Sequence, residues 1–146
     1  MKEETYNAKD AQEKAYKLLF GGANPLFLAT NGSHGHPNIR AMKPLYMDGV
    51  KSIWFATALE SSKIIELIKC EKAVIYGYSS KTLAEFRLWG SAVILDDAES
   101  RKLVWNDNLK EFFTEGMSDP NMRVLRFDTL SGVYSGKDGK DGTFTL

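Results

Sequence analysis

Residues Ile53–Cys70 read IWFATALESSKIIELIKC, and they pass from strand to helix within a few positions. Ile53–Thr57 is a short apolar strand, a tight polar connection follows, and an amphipathic helix opens at Ser61 or Ser62. The helix reading rests on Ile64, Ile65, Leu67 and Ile68, which recur at roughly helical spacing. A helix start leaves backbone N–H groups unpaired and carries partial positive charge. Here it is furnished with two hydroxyls and one ammonium, from Ser61, Ser62 and Lys63, which are the donors a phosphate seat needs. Serine is also an ordinary N-cap and lysine an ordinary surface residue. The stretch alone leaves both readings open.

Upstream, Ala8–Phe20 reads as a helix with Ala11, Ala15, Leu18 and Leu19 on one side, stopped by Gly21-Gly22. Pro25–Thr30 is an apolar strand, NGSHGHP a run of turn formers, and Asn38–Met47 extends again. Asp48-Gly49 is a hairpin signal joining that strand to Ser52–Thr57. Downstream come a strand at Ala73–Tyr78, an SSKT turn, and a long strand Leu83–Leu95 in which Gly90 marks a bulge or a close backbone approach. Asp96-Asp97 caps another helix, with Ala98, Leu103, Val104 and Trp105 facing inward. Leu109–Phe113 extends that helix before Gly116. Arg123–Phe127 and Gly132–Tyr134 form a last strand or pair of strands, SGKDGKDG is a polar loop, and Thr143–Leu146 is an edge strand or a frayed end. Many short antiparallel strands with few helices indicate a mainly β fold with flanking helices, closed or nearly closed into a barrel.

At 146 residues the chain fits a single domain, 1–146, and can bury a core without disulfide or metal staples. Nineteen basic residues balance nineteen acidic ones, which argues against a general electrostatic grip on nucleic acid or on an acidic membrane surface. The N-terminal MKEETYNAKD has no apolar core, so neither a signal peptide nor a membrane span is expected there, and a cytoplasmic protein is the simplest expectation. Cys70 is the only cysteine, which excludes an internal disulfide and a multi-cysteine metal site.

Arg40, in NIRAMKPLY, is either an outward solvated residue or a planted cation. If Asn38–Met47 pairs with Ser52–Thr57 through the Asp48-Gly49 turn, Arg40 lies at the far end of that hairpin, near Thr57 and the Ser61–Lys63 helix start. Arg40 and Lys63 then face one phosphate, the arginine as a two-pronged donor and the lysine as a point charge. His34 and His36 share one turn without cysteine or carboxylate partners, so no metal site is expected. A serine–histidine–acid set cannot be assembled either. GKDGKDG lacks the ending of a P-loop. Trp89, Trp105, Phe112, Phe113 and Met117 are able to wall a flat ligand, but core packing is the better default for each.

The run Arg40–Met42, the DG turn, IWFAT and the SSK of Ser61–Lys63, followed by WGSAVILDD at Trp89–Asp97 and GMSDPNMRVLRFD at Gly116–Asp128, together resemble one family. These motifs are similar to those of the pyridoxamine 5'-phosphate oxidase-like FMN-binding split barrels, closest to the general stress protein branch, which has relatives among nitroimidazole reductases. The resemblance covers nearly the whole chain after about Asn24. It implies a six-stranded antiparallel split β-barrel that forms a homodimer, with FMN in the grooves between subunits. It assigns Arg40 and Lys63 to the FMN phosphate, helped by Ser61 and Ser62. The backbone of Arg40, Ala41, Met42 and Lys43 would run along the isoalloxazine ring, Thr57 would touch the flavin, and Glu85 stands where the oxidases proper carry a flavin-binding glutamine.

Four departures bear on activity. Ser62 stands where the oxidases proper have arginine, Ala56 replaces their tyrosine, and Ser135 follows Tyr134 where the stress branch often has tryptophan. Their C-terminal segment that holds pyridoxal phosphate has no counterpart after Tyr134. Vitamin B6 oxidation is therefore not the expected reaction. The expectation is an FMN-dependent oxidoreductase acting on a small molecule, with no catalytic residue of its own identified, since a flavin carries the electrons. Non-enzymatic flavin storage or sensing is the alternative, with a deazaflavin- or heme-binding relative as a third.

Overall fold

Alternating apolar positions dominate the chain between residue 26 and the C-terminus, and they are assembled into one antiparallel sheet. The computed structural model describes residues 5–21, 23 and 25–146. Helix α1 (Ala8–Gly21) buries Ala11, Ala15 and Leu19, the stripe its spacing indicates. Gly22, expected to share in stopping it, lies outside the described residues. The strands are β1 (Leu26–Asn31), β2 (Pro37–Met42), β3 (Tyr46–Asp48), β4 (Ser52–Ala58), β5 (Lys72–Tyr78), β6 (Glu85–Leu95), β7 (Met122–Ser135) and β8 (Asp141–Thr145). Helices α2 (Ser62–Lys69) and α3 (Ala98–Val104), with 3-10 turns at Asp107–Glu111 and Gly116–Ser118, fill the longer connections.

The pairing order is β2-β1-β5-β6-β7-β4-β3, with β8 added to β7. Because β2 and β3 are consecutive in the chain, the path begins and ends on one bent segment. The expected single strand Asn38–Met47 is thus two strands. Pro44 lacks the N–H that a continuing ladder requires, and the backbone swings from β1 to β4 across Lys43–Leu45, where the Leu45 N–H donates to the Trp54 carbonyl. Counting β2 and β3 as one bent strand gives six around the barrel and β8 outside it. The barrel is split where β2 leaves β1 and β3 joins β4.

The interior holds Leu26, Leu28, Ile53, Phe55, Ile75, Phe86, Leu88, Leu125 and Phe127, each no more than 1% exposed. Burial of one such side chain stabilises by about 1.5–3 kcal/mol. Gly90 satisfies both readings of its position. The β6–β7 register slips between Trp89 and Gly90, and a Cβ on Gly90 would lie 2.0 Å from the Asp128 carbonyl oxygen. The two segments expected near the C-terminus are one continuous strand, β7, which the bulge bends without breaking.

Helix α3 departs from expectation. Asp97 does cap it, accepting from the Ser100 N–H at 3.0 Å. Ala98 and Leu103 are exposed, however, and Trp105 is half-buried, while Val104 and Arg101 face inward. The Arg101 guanidinium donates to the carbonyls of Met117, Asp119 and Met122 and to Asp96 Oδ1 at 2.6–2.9 Å. Arg101 therefore ties α3 to the loop before β7 through polar contacts that an apolar-stripe reading cannot see. Buried Asp119, from the GMSDPN motif, accepts from the N–H groups of Glu115 and Asn121 and shapes the same loop. Leu109–Phe113 does not extend α3, because a separate 3-10 turn begins at its Asn106 cap.

Candidate functional site

Helix α2 packs its Ile64, Glu66 and Leu67 against the barrel. Glu66 is 7% exposed, and a buried carboxylate must find donors. Thr30 Oγ1 donates to Glu66 Oε2 at 2.8 Å, and Asn38 Nδ2 donates to Oε1 at 2.6 Å. Arg40 closes the cluster, with Nη1 donating to Thr30 Oγ1 at 2.6 Å and Nη2 lying 3.6 Å from Glu66 Oε1. Burial alone would push the Glu66 carboxyl up. The hydrogen bonds from Asn38 and Thr30 and the charge of Arg40 outweigh it and hold the group below the ordinary carboxylate range.

Arg40 is thus a planted cation, yet by a route the hairpin argument did not foresee. Strand β2 pairs with β1, with Arg40 opposite Leu28, and has no ladder with β4. What brings Arg40 to the helix start is α2 lying over β1, joined through Thr30 and Glu66. Lys63, half-buried at that start, has its ammonium pKa pushed down by burial and by the neighbouring Arg40 charge. Two cations within electrostatic reach, one of them poorly solvated, form a site that an anion would relax. The helix start is open to such an anion, because the N-cap Ser61 makes no capping bond to its own helix. Its hydroxyl instead meets Thr57 Oγ1 at 3.1 Å. Ser62 is exposed beside it.

Thr57 connects this seat to a groove of about 710 Å³ lined by Ala41, Met42, Lys43, Leu45, Ala56, Thr57 and Ala58 on the sheet side. The 3-10 turn Asp107–Glu111 contributes Leu109 and Glu111 on the other, and Phe112 and Phe113 follow directly after it. Its size and mostly apolar walls suit a planar ring system. Of the aromatics singled out in the sequence, Phe112 and Phe113 line this groove. Trp89 borders a different hollow, between β1, β5, β6 and β7, and Trp105 and Met117 border neither.

The structure therefore brings together Arg40, Ala41, Met42, Lys43, Thr57, Ser61, Ser62 and Lys63. Glu85 stands apart in the same chain, at the far end of β6 from the groove, where it accepts a 2.5 Å hydrogen bond from the Tyr76 hydroxyl. Burial and that bond push the Tyr76 phenol up to about 12. Sequence reasoning missed Thr30, Asn38 and Glu66. The available signal was a carboxylate inside IIELI, at a helical position next to buried Leu67. His34 and His36 are exposed in the β1–β2 turn, and no cluster of metal-ligating side chains occurs among the described residues.

The sequence matches the pyridoxamine 5'-phosphate oxidase like family over residues 10–145. The chain belongs to that family. Its members generally bind flavin, and the seat and groove lie in a split barrel of the kind the family shares. Among solved structures, the chain is similar to a Clostridium acetobutylicum protein related to general stress protein 26 of B. subtilis, of the pyridoxinephosphate oxidase family. Identity is 29%, the match covers 92% of this chain and 94% of that one, and the TM-score is 0.82. General stress protein 26 from Bacillus anthracis shares the fold at 19% identity, with 92% and 98% covered and a TM-score of 0.76. PhzG from Burkholderia lata 383, in complex with tetrahydrophenazine-1-carboxylic acid, shares it at 19% identity, with 85% and 82% covered and a TM-score of 0.64. No curated protein matches the sequence. No helix among the described residues is long and apolar enough to cross a membrane.

Proposed function

We propose that this family member is an FMN-binding oxidoreductase acting on a small molecule as a homodimer. The carrying observation is the Arg40–Lys63 cation pair at the open start of α2, next to an apolar groove. A flavin with a terminal phosphate matches both halves, whereas a flavin without one would leave the two cations facing each other. When bound, the flavin supplies the redox chemistry. The protein's part is to bind and orient. Lys63 and the Ser61 and Ser62 hydroxyls would hold the phosphate. Arg40 would hold it while anchored by Glu66 and Thr30, which fix its guanidinium plane. Ala41–Lys43, Thr57 and Phe112 would flank the ring and keep water from its face. Glu85 is too far round the barrel to reach a ring held in its own chain's groove, so its expected contact fits only a second subunit's site.

Titration of the apo-protein with FMN and with riboflavin tests the reading. FMN should bind at least tenfold more tightly, the value of one charge-assisted contact of about 1.5 kcal/mol, and equal affinities would remove the phosphate assignment. Anaerobic addition of NADH or NADPH should then bleach the flavin. If only dithionite does so, storage or sensing replaces catalysis.

A further inference from the structure

A second polar cleft, of about 460 Å³, opens between α1 and the β5–β6 turn. Lys14, Lys17, Leu18 and Gly21 form one wall, Ser79, Ser80, Lys81 and Thr82 the other, and Tyr134 the floor. Three ammonium groups and four hydroxyls line it, without one carboxylate, in a chain whose charges balance overall. Among the described residues no carboxylate pairs with Lys14, Lys17 or Lys81. Asp10 and Glu13 stand one helical turn before Lys14 and Lys17 outside the lining, and Asp138, beyond the rim, is engaged by the Tyr6 hydroxyl at 2.8 Å and the Lys140 N–H at 3.0 Å. Lys14 also lies 5.0 Å from the centre of the Tyr6 ring.

The turn is held in a conformation with a cost. Leu83 has φ +58°, the left-handed region that a leucine seldom occupies. It stays there because its N–H donates to the Ser79 carbonyl at 2.8 Å, while the Ser79 N–H donates to the Ala84 carbonyl at 3.0 Å. Ser79 is itself 5% exposed, and its Oγ accepts from the Thr82 N–H at 3.4 Å. That leaves the buried Ser79 O–H as a donor on the cleft wall. Ser79-Ser80-Lys81 also repeats the tripeptide of Ser61-Ser62-Lys63, on a different framework.

The geometry points to a second anion site, distinct from the seat at α2, which takes a small phosphate monoester or inorganic phosphate between Lys17, Lys81 and the Ser79–Thr82 hydroxyls. Its lining shares no residue with the groove beside Thr57. An anion there would tie α1 to the barrel, since its donors come from both sides.

The test is amide NMR of the FMN-saturated protein titrated with inorganic phosphate against chloride at matched ionic strength. Saturable shifts should appear at Ser79–Thr82 and Lys14–Gly21, and Lys17→Gln with Lys81→Gln should weaken them at least tenfold. Both lysines are exposed, and circular dichroism checks that the double variant folds, with Lys81→Gln alone as the milder comparison. Shifts that fail to saturate, that chloride reproduces, that map only to Ser61–Lys63, or that survive the double substitution would each overturn the assignment.

Discussion

Arg40→Ala should destabilise the protein before any ligand is considered. The substitution removes the charge 3.6 Å from Glu66 and the donor 2.6 Å from Thr30 Oγ1. Breaking a buried ion pair from one side typically costs about 3–5 kcal/mol. Here the contact is long and Glu66 keeps its hydrogen bonds from Thr30 and Asn38, so a loss of about 2 kcal/mol is expected, the middle of the range for a charged hydrogen bond. That corresponds to a fall in Tm of roughly 6–8 °C for a chain of this size. The pH dependence carries the sharper signature. The Glu66 pKa lies below its unfolded value, so its contribution is full above that value and is lost as pH falls through the folded pKa. Without Arg40, burial weighs more heavily, the carboxyl moves up, and the loss begins at higher pH or changes sign. The gap between wild type and variant should therefore narrow in acid. Urea unfolding of the apo-proteins at pH 7 and pH 4 measures this, with Glu66→Gln added to Arg40→Ala expected to restore most of the stability. A gap under about 0.5 kcal/mol at pH 7, or one that does not narrow in acid, would show that the cluster does not hold the arginine in place.

Three further outcomes follow from particular contacts. FMN affinity should fall as pH rises through the depressed Lys63 pKa, earlier than an ordinary lysine would impose; Lys63→Gln should flatten that alkaline limb, and riboflavin titrations should lack it. Arg101→Ala, which strips donors from three carbonyls and Asp96, should cost about 3–5 kcal/mol in urea unfolding and open residues 107–121 to limited proteolysis. Arg101→Lys should not restore it, because one ammonium cannot span that fork. Tyr76 should titrate near 12 by ultraviolet absorbance and vanish from the curve in Tyr76→Phe; its contribution to stability is full below the unfolded value of about 10 and is lost as pH rises through 12.

The sequence by itself determined the elements and the family. Two-residue alternation in the strands, the helical spacing of Ile64, Leu67 and Ile68, the Asp48-Gly49 turn and the Gly90 irregularity are local signals. Each can be read from a short window of residues, without knowing which distant segment it will pack against. The same locality put Arg40, Ser61, Ser62 and Lys63 on the list of candidate phosphate donors. Only the tertiary structure decided how they meet. Pro44 splits one expected strand into β2 and β3, so Arg40 reaches the helix start by way of β1 and α2 rather than along a hairpin. The partners that hold it, Thr30 and Glu66, are 10 and 26 positions away, and no periodicity links residues that are neighbours only because a sheet curls. Arg101 carries the same lesson, because a buried guanidinium on a short helix looks like a surface residue until the carbonyls of Met117, Asp119 and Met122 are folded round it. Apolar burial leaves a repeating trace along a chain, whereas a buried polar cluster is satisfied by whatever the fold brings within hydrogen-bond distance.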